Sequence, residues 1–366
     1  VLIVMNVLYF NNTVMAVFLW LVLGLLASFT SPGERAYSLN TNPRVSMSFS
    51  FGLALAVLLA VGVWVIEARF LMADIAYAQA QVAAQKAETL EQAQVDLVRA
   101  VNLNPWRDVY RLGLAQVWLA LANREAAQPA GKTKEEQQAQ VQRLQSYIAS
   151  SIAAARSATE LSQQNVANWE TLGSIYRGTV LFTRDAEPWV IASFEQAISL
   201  EPSNPALYTE LGRAYLIAAD RKRQEAAATK VEADKAKLES EASEQVAKAY
   251  AQFEKAVALK PDYGPARFSE VLALEQQGKL PEAIKKLEAL QQLAPQDLDV
   301  LYELGSLYFT TSDYTKAEQA FLAITALVPN HANAHFGLSL VYQKQNQLDK
   351  AIVEMEKVKE LNPDNK

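Results

Sequence analysis

Two histidines, His331 and His335, stand one helical turn apart, a spacing that can bring two imidazoles onto one metal ion. No glutamate lies between them in the zincin order, and the chain has no cysteine to complete a thiolate set. Gly131-Lys132-Thr133 ends as phosphate-binding loops end, but the upstream glycine slot holds Ala126 and no strand pattern precedes it. A backbone cradle for phosphate needs strand, glycine-rich loop and helix together. A nucleophile–His–acid triad could recruit only the same two histidines, and the carboxylates are scattered with no apolar pocket implied. The expectation is a chain with no catalytic residue, no cofactor site and no metal site. A net charge of −6 and a pI near 5.3 argue against nucleic acid as a partner.

The elements behind these residues read as helices. In Asn165-Val-Ala-Asn-Trp-Glu-Thr-Leu-Gly-Ser-Ile-Tyr176, the residues Trp169, Leu172 and Tyr176 fall on one helical face, and Gly173 sits on that face too. A mid-helix glycine costs about 1 kcal/mol relative to alanine, so its position implies the close approach of another helix. The arrangement returns as Leu211-Gly212 with Tyr215 and as Leu304-Gly305 with Tyr308. Leu338-Ser339 with Tyr342 and Leu114-Ala115 with Trp118 keep the sizes. Second periodic runs follow and end near prolines, and Pro261, Pro295, Pro329 and Pro363 are spaced by 34 residues. A fixed period of that length with two helices per unit marks a solenoid.

These residues resemble the tetratricopeptide repeat family, whose unit is a helix–turn–helix of this length. The resemblance implies an all-α right-handed superhelix over 74–365 with units 74–107, 108–165, 166–204, 205–263, 264–297, 298–331 and 332–365. It makes Trp169, Leu172, Gly173, Tyr176, Leu211, Gly212, Tyr215, Leu304, Gly305 and Tyr308 packing residues between paired helices. The unit at 264 departs from the pattern with Glu270 and Val271. The second and fourth units carry inserts of about 24 and 25 residues beyond the regular repeat. The fourth unit's insert, Arg221–Gln245, is rich in Ala, Glu and Lys, which favours longer helices lying outside the stack, so its deletion is expected to be mild.

The first 73 residues read as a membrane region. No residue from Val1 to Gly33 is charged, and 45–66 is free of charge between Arg44 and Glu67. Spans at about 12–31 and 45–66, joined by a loop over 32–44, are expected. The lipid bilayer is thus an expected partner, and Arg35 and Arg44 in the loop favour a cytoplasmic loop with extracytoplasmic repeats. The apolar start at Val1 is expected to be the tail of an earlier membrane segment of a longer protein.

Two functions remain open at this point. Phe268, Tyr302 and Phe336 recur at 34-residue spacing, one residue after the Trp169 slot, and the tetratricopeptide resemblance implies that this position faces a concave groove. With Phe309 they would bind protein or peptide segments, unless they pack between adjacent units or are covered by the chain's own end. That makes the chain an interaction scaffold anchored in a membrane, expected to be a bacterial inner membrane. The alternative starts from Asn6–Ala16 and Leu19–Ala27, which look like the last membrane part of the O-antigen ligase/polymerase family. That resemblance implies a glycan transferase whose catalytic region lies upstream, with this chain as its non-catalytic tail and glycan-assembly proteins as partners. Whether the parent is an enzyme stays open.

Overall fold

The computed structural model describes residues 43–180 and 186–362, and these form fourteen α-helices and no strand. Two compact units result, one ending at Arg124 and one beginning at Glu125.

In the first unit, α1 (Pro43–Ala83) leads through a 3-10 turn (Ala87–Thr89) into α2 (Leu90–Leu103) and then α3 (Asp108–Ala126). The expected first span, 12–31, and Arg35 lie outside the described residues. No break in the helix marks the expected boundary near residue 73, since α1 continues unbroken from the apolar stretch to Ala83. The connecting residues, Glu67-Ala-Arg-Phe-Leu-Met-Ala-Asp74, contain no glycine or proline to stop a helix. Ala73, Ala76 and Ala80 are fully or almost fully buried, as are Ala93, Leu97 and Ala100 on α2. Asp74 Oδ1 accepts from Arg107 Nη1 at 2.6 Å and from the Tyr110 hydroxyl at 2.5 Å. Burial pushes the Tyr110 hydroxyl up to about 12, with the Asp74 hydrogen bond adding to the shift.

The second unit begins with α4 (Lys134–Leu161), α5 (Val166–Thr179) and α6 (Glu187–Leu200). The long pair α7 (Pro205–Ala228) and α8 (Glu232–Leu259) follows. Three regular hairpins close the unit: α9 (Gly264–Gln276) with α10 (Leu280–Leu293), α11 (Leu298–Thr310) with α12 (Tyr314–Leu327), and α13 (Ala332–Lys344) with α14 (Leu348–Leu361).

The turn within each regular hairpin is built the same way. Gly278, Ser312 and Asn346 have φ of 74°, 65° and 61°. The amide after each reaches back to a carbonyl of the last helical turn: Lys279 to Leu274 at 2.9 Å, Asp313 to Tyr308 at 2.8 Å and Gln347 to Tyr342 at 2.8 Å. This left-handed cap satisfies carbonyls that the helix end leaves orphaned.

The turns between hairpins are tied by a different device. Trp169 Nε1 donates to the Gln163 carbonyl at 2.8 Å, and the Tyr208 hydroxyl donates to that of Pro202 at 3.0 Å. Arg267 reaches Pro261, and His335 Nε2 lies 2.8 Å from the Pro329 carbonyl. Tryptophan, tyrosine, arginine and histidine share little except a nitrogen or hydroxyl that can contact the carbonyl six residues upstream, and that common feature explains the mixed occupancy of the slot. In two of the pairs the glycine lies under a ring of the partner helix: a β-carbon on Gly173 would stand 2.9 Å from the Phe194 ring, and one on Gly305 2.7 Å from that of Phe321.

The inserted residues lengthen α7 and α8, which are joined by a short turn at 229–231. The expectation that Arg221–Gln245 lies outside the stack needs correction. Arg221 Nη1 donates to Glu187 Oε1 at 2.5 Å and Arg223 Nη1 to Gln276 Oε1 at 3.0 Å. Ala226 and Ala242 are buried at 2% and 1% exposure. Small alanine side chains let the helices close up, and the base of the arm is stitched to helices α6 and α9. Removing the whole stretch would strip those partners.

Candidate protein-binding surface

The first helices of the regular hairpins, α9, α11 and α13, place Phe268, Tyr302 and Phe336 in register. Their environments differ. Phe268, Tyr302 and Phe309 are partly buried and packed against the core made by Leu287, Leu304, Phe321 and their neighbours. The Tyr302 ring lies 5.7 Å from that of Phe321 and 6.3 Å from that of His331, and Phe309 stands 5.6 Å from Tyr314. Phe336 is 43% exposed. The surface is thus an aromatic edge with one open ring and three half-covered ones.

Its electrostatics are acidic. Glu303 on α11 hydrogen-bonds Glu275 on α9, and burial pushes its carboxyl up to about 7, with the neighbouring carboxylate adding to the shift. On the preceding unit the sign alternates, since Arg177 pairs with Glu210, which also pairs with Arg213 at 2.7 Å. Tyr308 donates to Glu288 Oε1 at 2.6 Å, and that bond is the main reason the Glu288 carboxyl sits below its ordinary range. Its direction is opposite to that of Glu303, so these acids cannot be treated as one set.

The histidines are structural. His331 caps α13, its Nδ1 accepting from the Ala334 amide at 3.1 Å, in the position where Asp297 caps α11. His335 is buried, with Nδ1 2.5 Å from Glu354 Oε2 and Nε2 on Pro329, so both nitrogens already face acceptors. Among the described residues no group of three His, Cys, Asp or Glu side chains could hold a metal ion. The Gly131-Lys132-Thr133 stretch is a helix start: Thr133 caps α4, and Glu136 Oε2 accepts from the amides of Lys132 at 2.7 Å and Thr133 at 3.1 Å. A carboxylate occupies the amides that a phosphate would need. The departure at Glu270 is also resolved, because this residue is 4% exposed and accepts from Lys286 Nζ at 2.7 Å.

Trp169 is half-buried, whereas Leu172, Gly173, Tyr176, Leu211, Gly212, Leu304, Gly305 and Tyr308 are buried. Tyr215 is partly buried, and its hydroxyl donates to Glu195 Oε1 at 3.2 Å. Reading the chain alone missed the Glu275–Glu303 contact, which joins residues on different hairpins and leaves no local signal.

Helix hairpins in tandem, three of them closed by a glycine under an aromatic ring and the last three recurring every 34 residues, define a helical-repeat protein. Three family models described as tetratricopeptide repeat match residues 239–297, 274–332 and 332–365. Residues 239–365 are therefore tetratricopeptide repeats, a class that serves as a scaffold for protein–protein interaction. A tetratricopeptide repeat protein from Parabacteroides merdae shares the fold at 13% identity and a TM-score of 0.52, over 80% of this chain and 94% of that one. PilW, a type IV pilus biogenesis factor, aligns at 16% identity and a TM-score of 0.46, over 69% of this chain and 96% of its own. YrrB, a tetratricopeptide protein with an unusual peptide-binding site, aligns at 17% identity and 0.41, over 58% and 94%. No curated protein sequence matches the chain. The segments behind the ligase resemblance, 6–16 and 19–27, lie outside the described residues.

Proposed function

We propose that the chain is a membrane-anchored scaffold whose C-terminal repeats bind protein segments along α9, α11 and α13. The observation that carries the binding half is Phe336, a large ring left 43% exposed at the end of an aromatic register. Exposed aromatic anchors beside half-buried ones are the common chemistry of protein hot spots. The anchor half rests on α1. Its stretch Ser50–Ala83 is long enough to cross a bilayer, and its most apolar 18-residue window has mean hydropathy 2.3 and is not buried within the fold. Phe51 at 73% and Trp64 at 66% exposure have no protein partner to shield them. Arg35 and Arg44 support extracytoplasmic repeats.

The experiment is a photo-crosslinkable phenylalanine analogue placed at Phe336 in the full chain in intact cells, with Glu239 on the inserted arm as control. An adduct with a different protein at 336, absent at 239, is expected. No adduct, equal adducts at both sites, or an adduct only with a second copy would overturn the binding reading. Cysteines at Arg44 and Lys366, probed with an impermeant thiol reagent, test orientation, and labelling of the Arg44 site alone would reverse it.

A further inference from the structure

Pro105-Trp106 lies in the turn between α2 and α3, and that turn is tied as the turns between hairpins are. Arg111 Nη1 donates to the Pro105 carbonyl six residues upstream, as Tyr208 does to that of Pro202 and Arg267 to that of Pro261. The residue after the proline faces outward. In the later turns it is polar: Ser203, Asp262, Gln296 and Asn330 are all exposed. At the α2–α3 turn it is a tryptophan, and it is 72% exposed. A ring that size in an outward slot calls for a surface outside the fold to cover it.

The path of α1 says what that surface is. No charge interrupts α1 between Arg44 and Glu67, a run of roughly 33 Å at 1.5 Å per residue, against about 30 Å for the hydrocarbon core of a bilayer. Val57, Trp64 and Ile66 in that run are 54%, 66% and 50% exposed. Ile66, the last residue of the run, thus marks the edge of the hydrocarbon. Beyond it α2 runs back along α1 and returns the α2–α3 turn to the same level. Arg69 Nη2 donates to the Asn102 carbonyl at 3.3 Å, and Arg107 Nη1 to Asp74 Oδ1 at 2.6 Å. The rings of Phe70 and Trp106 meet edge to face at 6.5 Å. Phe70 is four residues past Ile66, about 6 Å along the helix, and a headgroup layer is about 5–8 Å deep. Trp106 therefore stands at headgroup depth, where the apolar body and polar N–H of an indole are both accommodated. Around it Arg69, Arg107 and Arg111 balance Glu67, Asp74 and Asp108, so no excess charge selects an anionic headgroup.

We propose that Trp106, backed by Phe70, seats the α2–α3 turn in the boundary between headgroups and acyl chains of the bilayer that α1 crosses. The proposal rests on the anchor reading above and is independent of the surface around Phe336. Two attachments, one through the span and one through the ring, fix how the first hairpin stands on the membrane.

The chain contains no cysteine, so single thiols can be placed and labelled. Full chains carrying Trp106→Cys, Glu88→Cys or Val57→Cys take an environment-sensitive fluorophore and are reconstituted into phosphatidylcholine vesicles. Glu88 is exposed beyond the other end of α2, and α1 ends at Ala83, about 20 Å past Phe70. A lipid with a nitroxide on its headgroup should quench the label at 106 about threefold more than the label at 88. A lipid with the nitroxide near its chain end should quench the label at 57 most. Equal, weak quenching at 106 and 88 beside strong quenching at 57 would overturn the Trp106 contact and leave the anchor standing. An unquenched label at 57 would overturn both. The native ring is read without a label: Trp106→Phe keeps an aromatic against Phe70, and the tryptophan emission it removes is that of Trp106. Brominated phosphatidylcholine should quench about half of that emission or more. Emission from Trp106 that ignores the brominated lipid would mean that water or protein covers the ring, and the proposal would fall.

Discussion

The Phe194 ring lies so close over Gly173 that a β-carbon on the glycine would stand 2.9 Å from Cε2, and Phe321 stands in the same relation to Gly305 at 2.7 Å. Phe194 is fully buried and Phe321 nearly so, so neither ring can swing away cheaply. Two effects compete at such a position. Alanine would gain about 1 kcal/mol of helix propensity, whereas overpacking a fixed core costs about 1–3 kcal/mol. Packing wins. Gly305→Ala should lower stability despite being the better helix former, and Gly173→Leu should lower it further. Adding Phe321→Leu to Gly305→Ala should recover part of the loss. Strict additivity of those two changes in denaturant melts would show that ring and glycine do not share the contact.

Glu270 occupies a slot that leucine fills in other units, and Lys286 holds it at 2.7 Å. Glu270 is 4% exposed, while the lysine side chain is 39% exposed. Removing only the lysine leaves a buried carboxylate unmatched, a change that costs about 3 kcal/mol, whereas replacing both partners by apolar residues is close to neutral. Lys286→Met alone should therefore melt well below the parent chain, and Glu270→Leu with Lys286→Met should melt near it. The same loss in both variants would mean that the pair itself stabilises the unit.

Much of this was legible along the chain because its signals are short-range. The glycine on the Trp169–Tyr176 face and the ring in the partner helix lie within one unit, and the 34-residue proline spacing is read directly along the chain. Contacts between units left no such mark. Glu275 and Glu303 meet only because α9 and α11 lie side by side, and Arg221 and Arg223 find Glu187 and Gln276 across hairpins. The half-covering of Phe268 and Tyr302 has the same origin, since packing on neighbouring helices decides how much of each ring stays open. The boundary expected near residue 73 rests on the repeat period and falls inside α1. The helix itself contains no stop signal there.

Ser312 and Asn346 occupy the left-handed turn that Gly278 occupies in its hairpin, with φ of 65°, 61° and 74°. A β-carbon makes that conformation unfavourable by about 1–2 kcal/mol, least for asparagine. Glycine relieves the strain but loses more chain entropy on folding, so Ser312→Gly should stabilise by about 0.5 kcal/mol and Asn346→Gly by less. Gly278→Ala should destabilise by about 1 kcal/mol, because the new side chain meets the left-handed penalty with nothing to offset it. Thermal melts of the three variants check the order. A destabilised Ser312→Gly would mean that the serine contributes more than its backbone strain costs.

Glu303 gives the array a pH dependence of definite sign. Burial, with Glu275 adding to it, raises its carboxyl from an ordinary 4.5 to about 7. Between those values the folded chain keeps a proton that the unfolded chain has released. Stability from this group therefore falls as pH rises through the window and levels off above about pH 7. Glu91, Glu241 and Glu288 are shifted the opposite way, so the whole-chain profile mixes signs. Glu303→Gln isolates the one contribution, since glutamine keeps the size and the hydrogen bond to Glu275 without ionising. The variant should melt above the parent at pH 8, and the gap should close as pH falls towards 4.5. Matched melting curves across pH 4.5–8 make the comparison. A gap that stays constant with pH would show that Glu303 titrates normally and that the carboxyl pair is not coupled.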